Sequence, residues 1–510
     1  MKRVKRVLAL LAAFALVLAM AVPAWAEGAT YQLKVKASGA NHTYQVYQIF
    51  TGEMSTNKAG AKVLSNIKWG ANGTEKTGEA VEAGILTALE SATGSDTQKL
   101  EVIKNYVKLD TNAFETLDST HNYAANVPAG YYLVKDADNT LNGEDEAYTT
   151  FLVNVVGENV ELKPKSAKPS VDKFVQDEAA DRDIHSTDGD GWGKTADHAI
   201  NESFKFKLTA TLPLDANFGA YSTYKVKFTD TMSEGVTFES IDSVKVDGQK
   251  VTDYDCTATA GKAGGEWTLT IKDIKSISGV NLEDGAEIVV VYNAHLNEKA
   301  DVNHEDGATT NENKVYLEYS NNPNASGELG KTPEENVWVF TYGVNNKKVT
   351  EVTGETAYVP LAGAGFRLYT DAKCSHEVAL IYDETLSAYR PTKTGEKSEE
   401  MISAKGTGIF NIVGLDAGVY HMRETTTPTG YNTCNDVPIV IDAKHQKTGT
   451  SNNVTFTEDS SLAYTIVNNA GTTLPSTGGM GTTVFYVVGG GLMAVAVVLL
   501  VTKKRMENKR

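Results

Sequence analysis

The chain has 510 residues, 41% hydrophobic and 22% charged, a globular composition with room for about three domains of ordinary size. The net charge is −17, and because each end carries four net positive charges the part between them stands at −25. So acidic a body argues against nucleic acid as a partner, since phosphates need Lys and Arg to neutralise them, and suits a soluble protein outside an anionic cell envelope.

Taken in chain order, residues 1–26 read as a secretory signal peptide. Lys2, Arg3, Lys5 and Arg6 form a basic start, and Val7 to Val22 are apolar and uncharged. Ala24-Trp25-Ala26 is a small-x-small cleavage site, which makes Glu27 the first mature residue. The apolar run is short for a membrane span, and Pro23 with the small residues favours cleavage. Short alternating segments follow at Tyr31–Lys36, Phe204–Thr209, Tyr224–Phe228, Trp267–Ile271, Glu287–Tyr292 and Tyr464–Val467. Each is flanked by Gly, Asn, Asp or Pro, the pattern of all-β sandwiches. Helix is expected over Thr77–Ala92 and near Asp96–Tyr106, both in the first third. Lys163 to Pro169, rich in Lys and Pro, and Asn321 to Glu335, rich in Asn, Pro and Gly, read as linkers. The domains expected are therefore 27–166, 167–341 and 342–472. A weak echo links Gly130–Asp136 (GYYLVKD) to Gly418–Glu424 (GVYHMRE), as if the first and third domains shared a strand plan. At the C-terminus Leu474-Pro475-Ser476-Thr477-Gly478 precedes an uncharged apolar run, 484–501, and a basic tail, 502–510. The run is just long enough to span a bilayer, with the tail held in the cytoplasm.

These segments carry a resemblance that covers nearly the whole chain. The pentapeptide, span and basic tail together resemble a sortase sorting signal. Leu361 to Tyr369 (LAGAGFRLY) and Gly414 to Tyr431 (GLDAGVYHMRETTTPTGY) resemble the collagen-adhesin B-type domain of Gram-positive surface proteins. Thr195 to Pro213, Phe228 to Phe238 (FTDTMSEGVTF) and Asn313 to Pro323 (NKVYLEYSNNP) resemble the central domain of backbone pilins. The resemblance implies an all-β chain of tandem immunoglobulin-like, collagen-adhesin-type β-sandwiches, with some helix in the N-terminal domain. It also implies internal Lys–Asn isopeptide bonds. A Lys amine attacks a carboxamide only when neutral, and burial lowers a Lys pKa while raising that of a carboxyl that can shuttle the proton. The positions matching the family in the central domain are Lys173, Asp230 and Asn313; in the third domain they are Lys348, Glu424 and Asn468. Asp230 and Glu424 would be catalytic for that single intramolecular event only. Pattern alone favours Lys348 and Glu424 as edge-strand surface residues and allows Asp230 as a turn cap, with Lys347 and Asn469 as rivals one residue away. In the first domain Asp136 stands where an acid belongs, with Lys34 and Lys36 on an early strand, but no Asn is well placed near the last strand, so no bond is expected.

Backbone pilins resemble one another in a Tyr-Pro-Lys-Asn motif that supplies the lysine for assembly. Here Lys165 takes the motif's lysine, Lys163 replaces its tyrosine and Ser166 its asparagine, which leaves Lys163 and Lys168 as rivals. Of three cysteines, Cys374 and Cys434 flank the main strands of the third domain, and a disulfide between them fits some relatives; Cys256 would stay free. No nucleophile elbow, zinc-protease helix or phosphate loop occurs, so no enzyme, cofactor or metal is expected; Asp188 to Trp192 looks faintly like a calcium loop but lacks the full ligand spacing. The function implied is that of a shaft subunit: a sortase cleaves after Thr477, and a lysine of the next subunit takes the acyl group. Partners would be pilin-specific and housekeeping sortases, copies of itself, minor pilins, peptidoglycan and host surface ligands. The alternative is a monomeric wall-anchored adhesin or a minor tip or base pilin.

Overall fold

The computed structural model describes residues 28–36, 42–92, 96–138, 140, 147–164, 167–177, 191–214, 218–282, 285–302, 311–324, 329–352, 357–448, 453–458 and 462–471. The signal peptide, Lys165, the acidic stretch 188–190, the pentapeptide and the apolar run 484–501 lie outside these residues. Among the described residues no helix is long and apolar enough to cross a membrane. The chain is mostly strand and divides into two compact units: 1–343 with 413–418 and 441–460, and 344–412 with 419–440 and 461–510.

The first unit contains two strand systems. In the N-terminal one, Thr30–Val35 lies between Ala124–Pro128, antiparallel, and Val160–Leu162, parallel. A second sheet runs Lys62–Trp69, Tyr44–Thr56, Gly130–Asp136, Thr150–Val155. Leu33, Val35, Tyr44, Val46, Val134 and Val155 share one core beneath them. On the other side helix Ala83–Ser91 buries Ile85, Leu86 and Leu89 in a cluster with Phe50 and Trp69. This helix starts later than the expected Thr77. Gly78 has φ +87°, its N–H donates to Trp69 O, and Val81 N–H donates to Ile67 O, so residues 77–82 are tied to the neighbouring strand instead of forming a first helical turn. The second helix is Asp96–Ile103.

The central system is a twelve-stranded sheet whose main path includes Ser170–Gln176, Ser203–Thr211, Glu287–Leu296, Val226–Val246, Glu312–Ser320 and Glu335–Phe340, in that order. Strict alternation explains it. Phe204, Phe206, Leu208 and Ala210 point inward, as do Ile288, Val290, Tyr292, Ala294 and Leu296, with polar residues between them. The 21-residue strand Val226–Val246 does two jobs. Its first part pairs with Ala263–Ile271 on one side and Glu312–Ser320 on the other, and after irregularities past Met232 its second part pairs with Glu287–Leu296. Such bulges let one strand turn a corner between sheet faces. The hairpin Ala443–Thr448/Asn453–Glu458 also belongs to the first unit.

In the second unit, Tyr342–Glu351 pairs antiparallel with Tyr358–Pro360 and parallel with Ala463–Val467. A facing sheet sets Gly365–Tyr369 beside Glu377–Val378, Met401–Ile402 and Gly418–Thr426. Val344, Val349, Phe366, Leu368, Met422 and Ile466 are buried there.

Candidate functional site

Two buried polar clusters stand out against these apolar cores, one in each unit. The first begins at Lys173. The strand Ser170–Gln176 reads SVDKFVQ and alternates so that Val171, Lys173 and Val175 face inward. Asp230 takes the inward register of Phe228 and Met232, Asn313 that of Val315 and Leu317, and Tyr292 that of Val290 and Ala294. All four side chains have 0% exposure. Lys173 Nζ contacts Asp230 Oδ2, donates to Asn313 Oδ1 at 2.8 Å and lies 3.3 Å from Tyr292 Oη. Tyr292 Oη in turn donates to Asp230 Oδ2 at 3.1 Å and accepts from Asn313 Nδ2 at 2.6 Å. The Phe206 ring lies 5.3 Å from the ammonium.

Burial decides the protonation of this set. It lowers the Lys173 pKa to about 8 against the opposing attraction of Asp230, and it raises the Asp230 pKa against the attraction of Lys173. The two shifts converge, which brings the neutral amine and neutral acid within reach of the ion pair. Tyr292 is pushed up by burial and by Asp230, so it stays a neutral hydroxyl able to give one proton and take another. The sequence reading missed Tyr292. No local signal marks it, since a tyrosine on an otherwise apolar inward face (Ile288, Val290, Ala294, Leu296) reads as ordinary core.

The second cluster is wired differently. Lys348 and Asn468 are fully buried and Glu424 is 5% exposed, whereas Lys347 and Asn469, one residue away in each case, are exposed. Lys348 Nζ contacts Asn468 Oδ1. Asn468 Nδ2 donates to Glu424 Oε1 at 2.6 Å, and the Cys434 backbone N–H donates to Glu424 Oε2 at 2.7 Å. Parallel pairing of Lys348 with Ile466, together with an Asn468 N–H bond to Val349 O at 3.0 Å, brings first and last strands together. Burial lowers the Lys348 pKa, opposed by Cys434 and Glu424. In the first cluster, then, the acid touches the lysine and reaches the amide through a tyrosine; in the second it touches the amide nitrogen directly.

In the N-terminal system Asp136 is fully buried, but among the described residues no lysine contacts it. His42 Nδ1 lies 2.7 Å from Asp136 Oδ1, and Thr149 donates to Oδ2 through its N–H at 2.6 Å and its hydroxyl at 2.8 Å. Lys34 instead pairs with Glu161 at 3.3 Å on the surface. The echo between GYYLVKD and GVYHMRE thus has structural content: Asp136 ends its strand and Glu424 lies near the end of its own, each as a buried acid, but of the two Glu424 is the one with an amide beside it.

Cys374 and Cys434 are separate thiols here, where the sequence reading expected a disulfide. Cys374, at φ +55° on a turn, directs its Sγ toward Asp436 Oδ2 at 3.8 Å, while Cys434 sits against the buried Glu424. Burial pushes the Cys434 thiol up to about 11. Lys163 and Lys168, which flank the undescribed Lys165, are exposed.

Comparison with known proteins gives these sites a context. Residues 200–323 match the family model described as Gram-positive pilin backbone subunit 2, Cna-B-like domain. Residues 344–459 match a prealbumin-like fold domain, and residues 466–508 match the LPXTG cell wall anchor motif. No match was found among curated proteins. Similar solved structures include a backbone pilin of Streptococcus pyogenes with a modular three-domain structure, at 19% identity over 88% of this chain and 100% of that one, TM-score 0.49. The full-length major pilin SpaD from Corynebacterium diphtheriae has 17% identity over 87% and 97%, TM-score 0.42. The major pilin subunit BcpA of Bacillus cereus has 14% identity over 87% and 99%, TM-score 0.42.

Proposed function

We propose that this chain, a Gram-positive pilin backbone subunit by its matched domains and wall-attached by its anchor motif, is joined head to tail by a sortase and braced by two internal Lys–Asn isopeptide bonds. The observation that carries the bracing is the pair of buried amine–amide–acid clusters, the first wholly withdrawn from water and the second with only Glu424 slightly exposed. A buried charged lysine is costly unless it is paired, and two of them on apolar strand faces need a chemical reason.

The reaction needs nothing the clusters lack. In the central domain Lys173 passes a proton to Asp230 and becomes a neutral amine. Its Nζ attacks Asn313 Cγ, forming the new C–N bond while the carbonyl electrons move to Oδ1. As they return, the Cγ–Nδ2 bond breaks. Tyr292 gives its proton to the departing Nδ2 and takes one from Asp230, while Asp230 collects the second proton of the attacking nitrogen. Ammonia leaves, an amide remains, and no redox partner is required. At the other site Glu424 takes one proton from the Lys348 ammonium, gives it to the departing Asn468 Nδ2, which it already touches, and collects the second proton of the attacking nitrogen. Rate comes from positioning within a rigid core, in a single turnover.

Polymerisation then uses the ends. A sortase cleaves after Thr477, and a lysine of another copy, Lys165 in this reading, displaces the acyl-enzyme to form the intersubunit amide. The isopeptide bonds are tested by the intact mass of the exported chain, which should be short by two ammonias. An unmodified mass would remove the bracing and leave Lys173, Asn313, Lys348 and Asn468 as ordinary buried strand residues.

A further inference from the structure

A third buried polar group in the first unit is used by neither cluster. Asp177 follows the strand Ser170–Gln176, Asp197 ends Thr195–Asp197, and His445 lies in Ala443–Thr448. Asp197 is 0% exposed, Asp177 2% and His445 5%. One carboxylate oxygen of each aspartate and one ring nitrogen of His445 fall within 4.8 Å of one another, and His445 Nε2 is 3.7 Å from Asp197 Oδ2.

A hydrogen-bonded core network would be an ordinary explanation, and it fails on three atoms. Asp197 Oδ2 accepts from Tyr342 Oη at 2.9 Å, but Oδ1, equally buried, has no hydrogen-bond partner among the described residues. Neither nitrogen of the His445 ring has one, although the ring is fixed by stacking on Phe340 at 4.8 Å and 13° and its backbone carbonyl accepts from Thr195 Oγ1. Buried polar atoms without partners are rare and costly. These belong to two residues that converge on one point, with a second carboxylate beside them.

We infer that Asp177, Asp197 and His445 form a binding site for a divalent transition cation such as Zn2+, which staples the hairpin Ala443–Thr448/Asn453–Glu458 to the strand ends of the first unit. Two carboxylates and an imidazole make an oxygen–nitrogen donor set that suits Zn2+ or Mn2+ and disfavours Ca2+, which takes oxygen ligands. Ligand atoms about 2.0–2.2 Å from such an ion stand roughly 3.4 Å apart in a tetrahedron, so the donors need to draw in by about 1 Å. The Tyr342 hydroxyl on Asp197 and the Phe340 ring stacked on His445 hold these two side chains in the orientation a bound ion needs. The site is independent of the isopeptide clusters and of sortase assembly.

The test uses the whole chain without an affinity tag, freed of metal by a chelator and titrated with Zn2+ by calorimetry. The wild type should bind one equivalent, with Ca2+ unable to compete. Asp197→Asn keeps the acceptor for Tyr342, and His445→Gln keeps a polar side chain of similar reach; each should weaken Zn2+ binding by tenfold or more. Circular dichroism and a cooperative melt report folding in both, whether or not the isopeptide bonds form. Should a variant fail to fold, X-ray absorption of the Zn2+-loaded wild type decides instead: one imidazole with oxygen donors is expected. No stoichiometric binding, full binding by either folded variant, or a shell lacking imidazole or holding several would overturn the site.

Discussion

Glu424→Gln is the sharpest perturbation of the bracing. The substitution nearly preserves shape and keeps one acceptor for the Cys434 N–H, but removes the group that carries a proton to Asn468 Nδ2. Lys348 and Asn468 are 120 residues apart, so their bond closes a loop of that size. In the loop-entropy model this removes about 5 kcal/mol of freedom from the unfolded chain. Leaving one buried donor unsatisfied adds roughly 1–3 kcal/mol. For a folding unit of this size each kcal/mol moves the midpoint by roughly 3–5 °C, so the transition of the second unit should fall by about 20–40 °C. Calorimetry on the exported chain resolves that transition, and intact mass on the same sample should show one ammonia regained. The reasoning is wrong if the variant still loses both ammonias, or if the bond is open and the midpoint moves by only a few degrees.

Asp230→Asn should restore the other ammonia without affecting the second site, because the two acids sit in different units; a change at both sites in intact mass would contradict this. Tyr292→Phe removes the hydroxyl that links Asp230 to Asn313 Nδ2, so pulse-labelled chain should close tenfold or more slowly at the central site while the Lys348 site closes at the wild-type rate; equal central rates would exclude the relay. Asn313→Ala leaves Lys173 as a buried free amine with a pKa of about 8, below its ordinary value. The unfolded chain then holds more protons between about pH 8 and 10, so stability against urea should rise across that window, whereas the wild-type amide cannot titrate and should show no such rise. Lys165→Ala should reduce the high-mass ladder of a wall extract to monomer without blocking export; a ladder lost only with Lys163→Ala or Lys168→Ala would move the linkage to that residue.

Much of this was legible because strands write their facing into alternate residues. The resemblance named Lys173 and Asp230, and alternation is consistent with them: SVDKFVQ puts the lysine in register with two valines, and FTDTM puts the aspartate in register with Phe228. Lys348 shares the parity of Val344, and it is Lys348, not its rival Lys347, that is buried. Tyr292 was not legible, because a tyrosine on an apolar face is normal core and only the meeting of four strands reveals what its hydroxyl touches. His42 was missed for a related reason: its partnership with Asp136 spans 94 residues and no local pattern announces it. The late start of the first helix depended on Gly78 and on bonds to Trp69 and Ile67, contacts that a helical periodicity cannot anticipate. Asp177, Asp197 and His445 come from three separate segments, so composition and spacing could not join them.

The central claim is covalent polymerisation, and the most direct measurement is mass spectrometry of peptides from the high-mass ladder of a wall extract. The account predicts a branched peptide in which the Thr477 carbonyl is joined to the side chain of a lysine in 163–168, recovered in near equal amount to the chain itself. Thr477 found only on wall peptide, in chains that run as monomers, would contradict it.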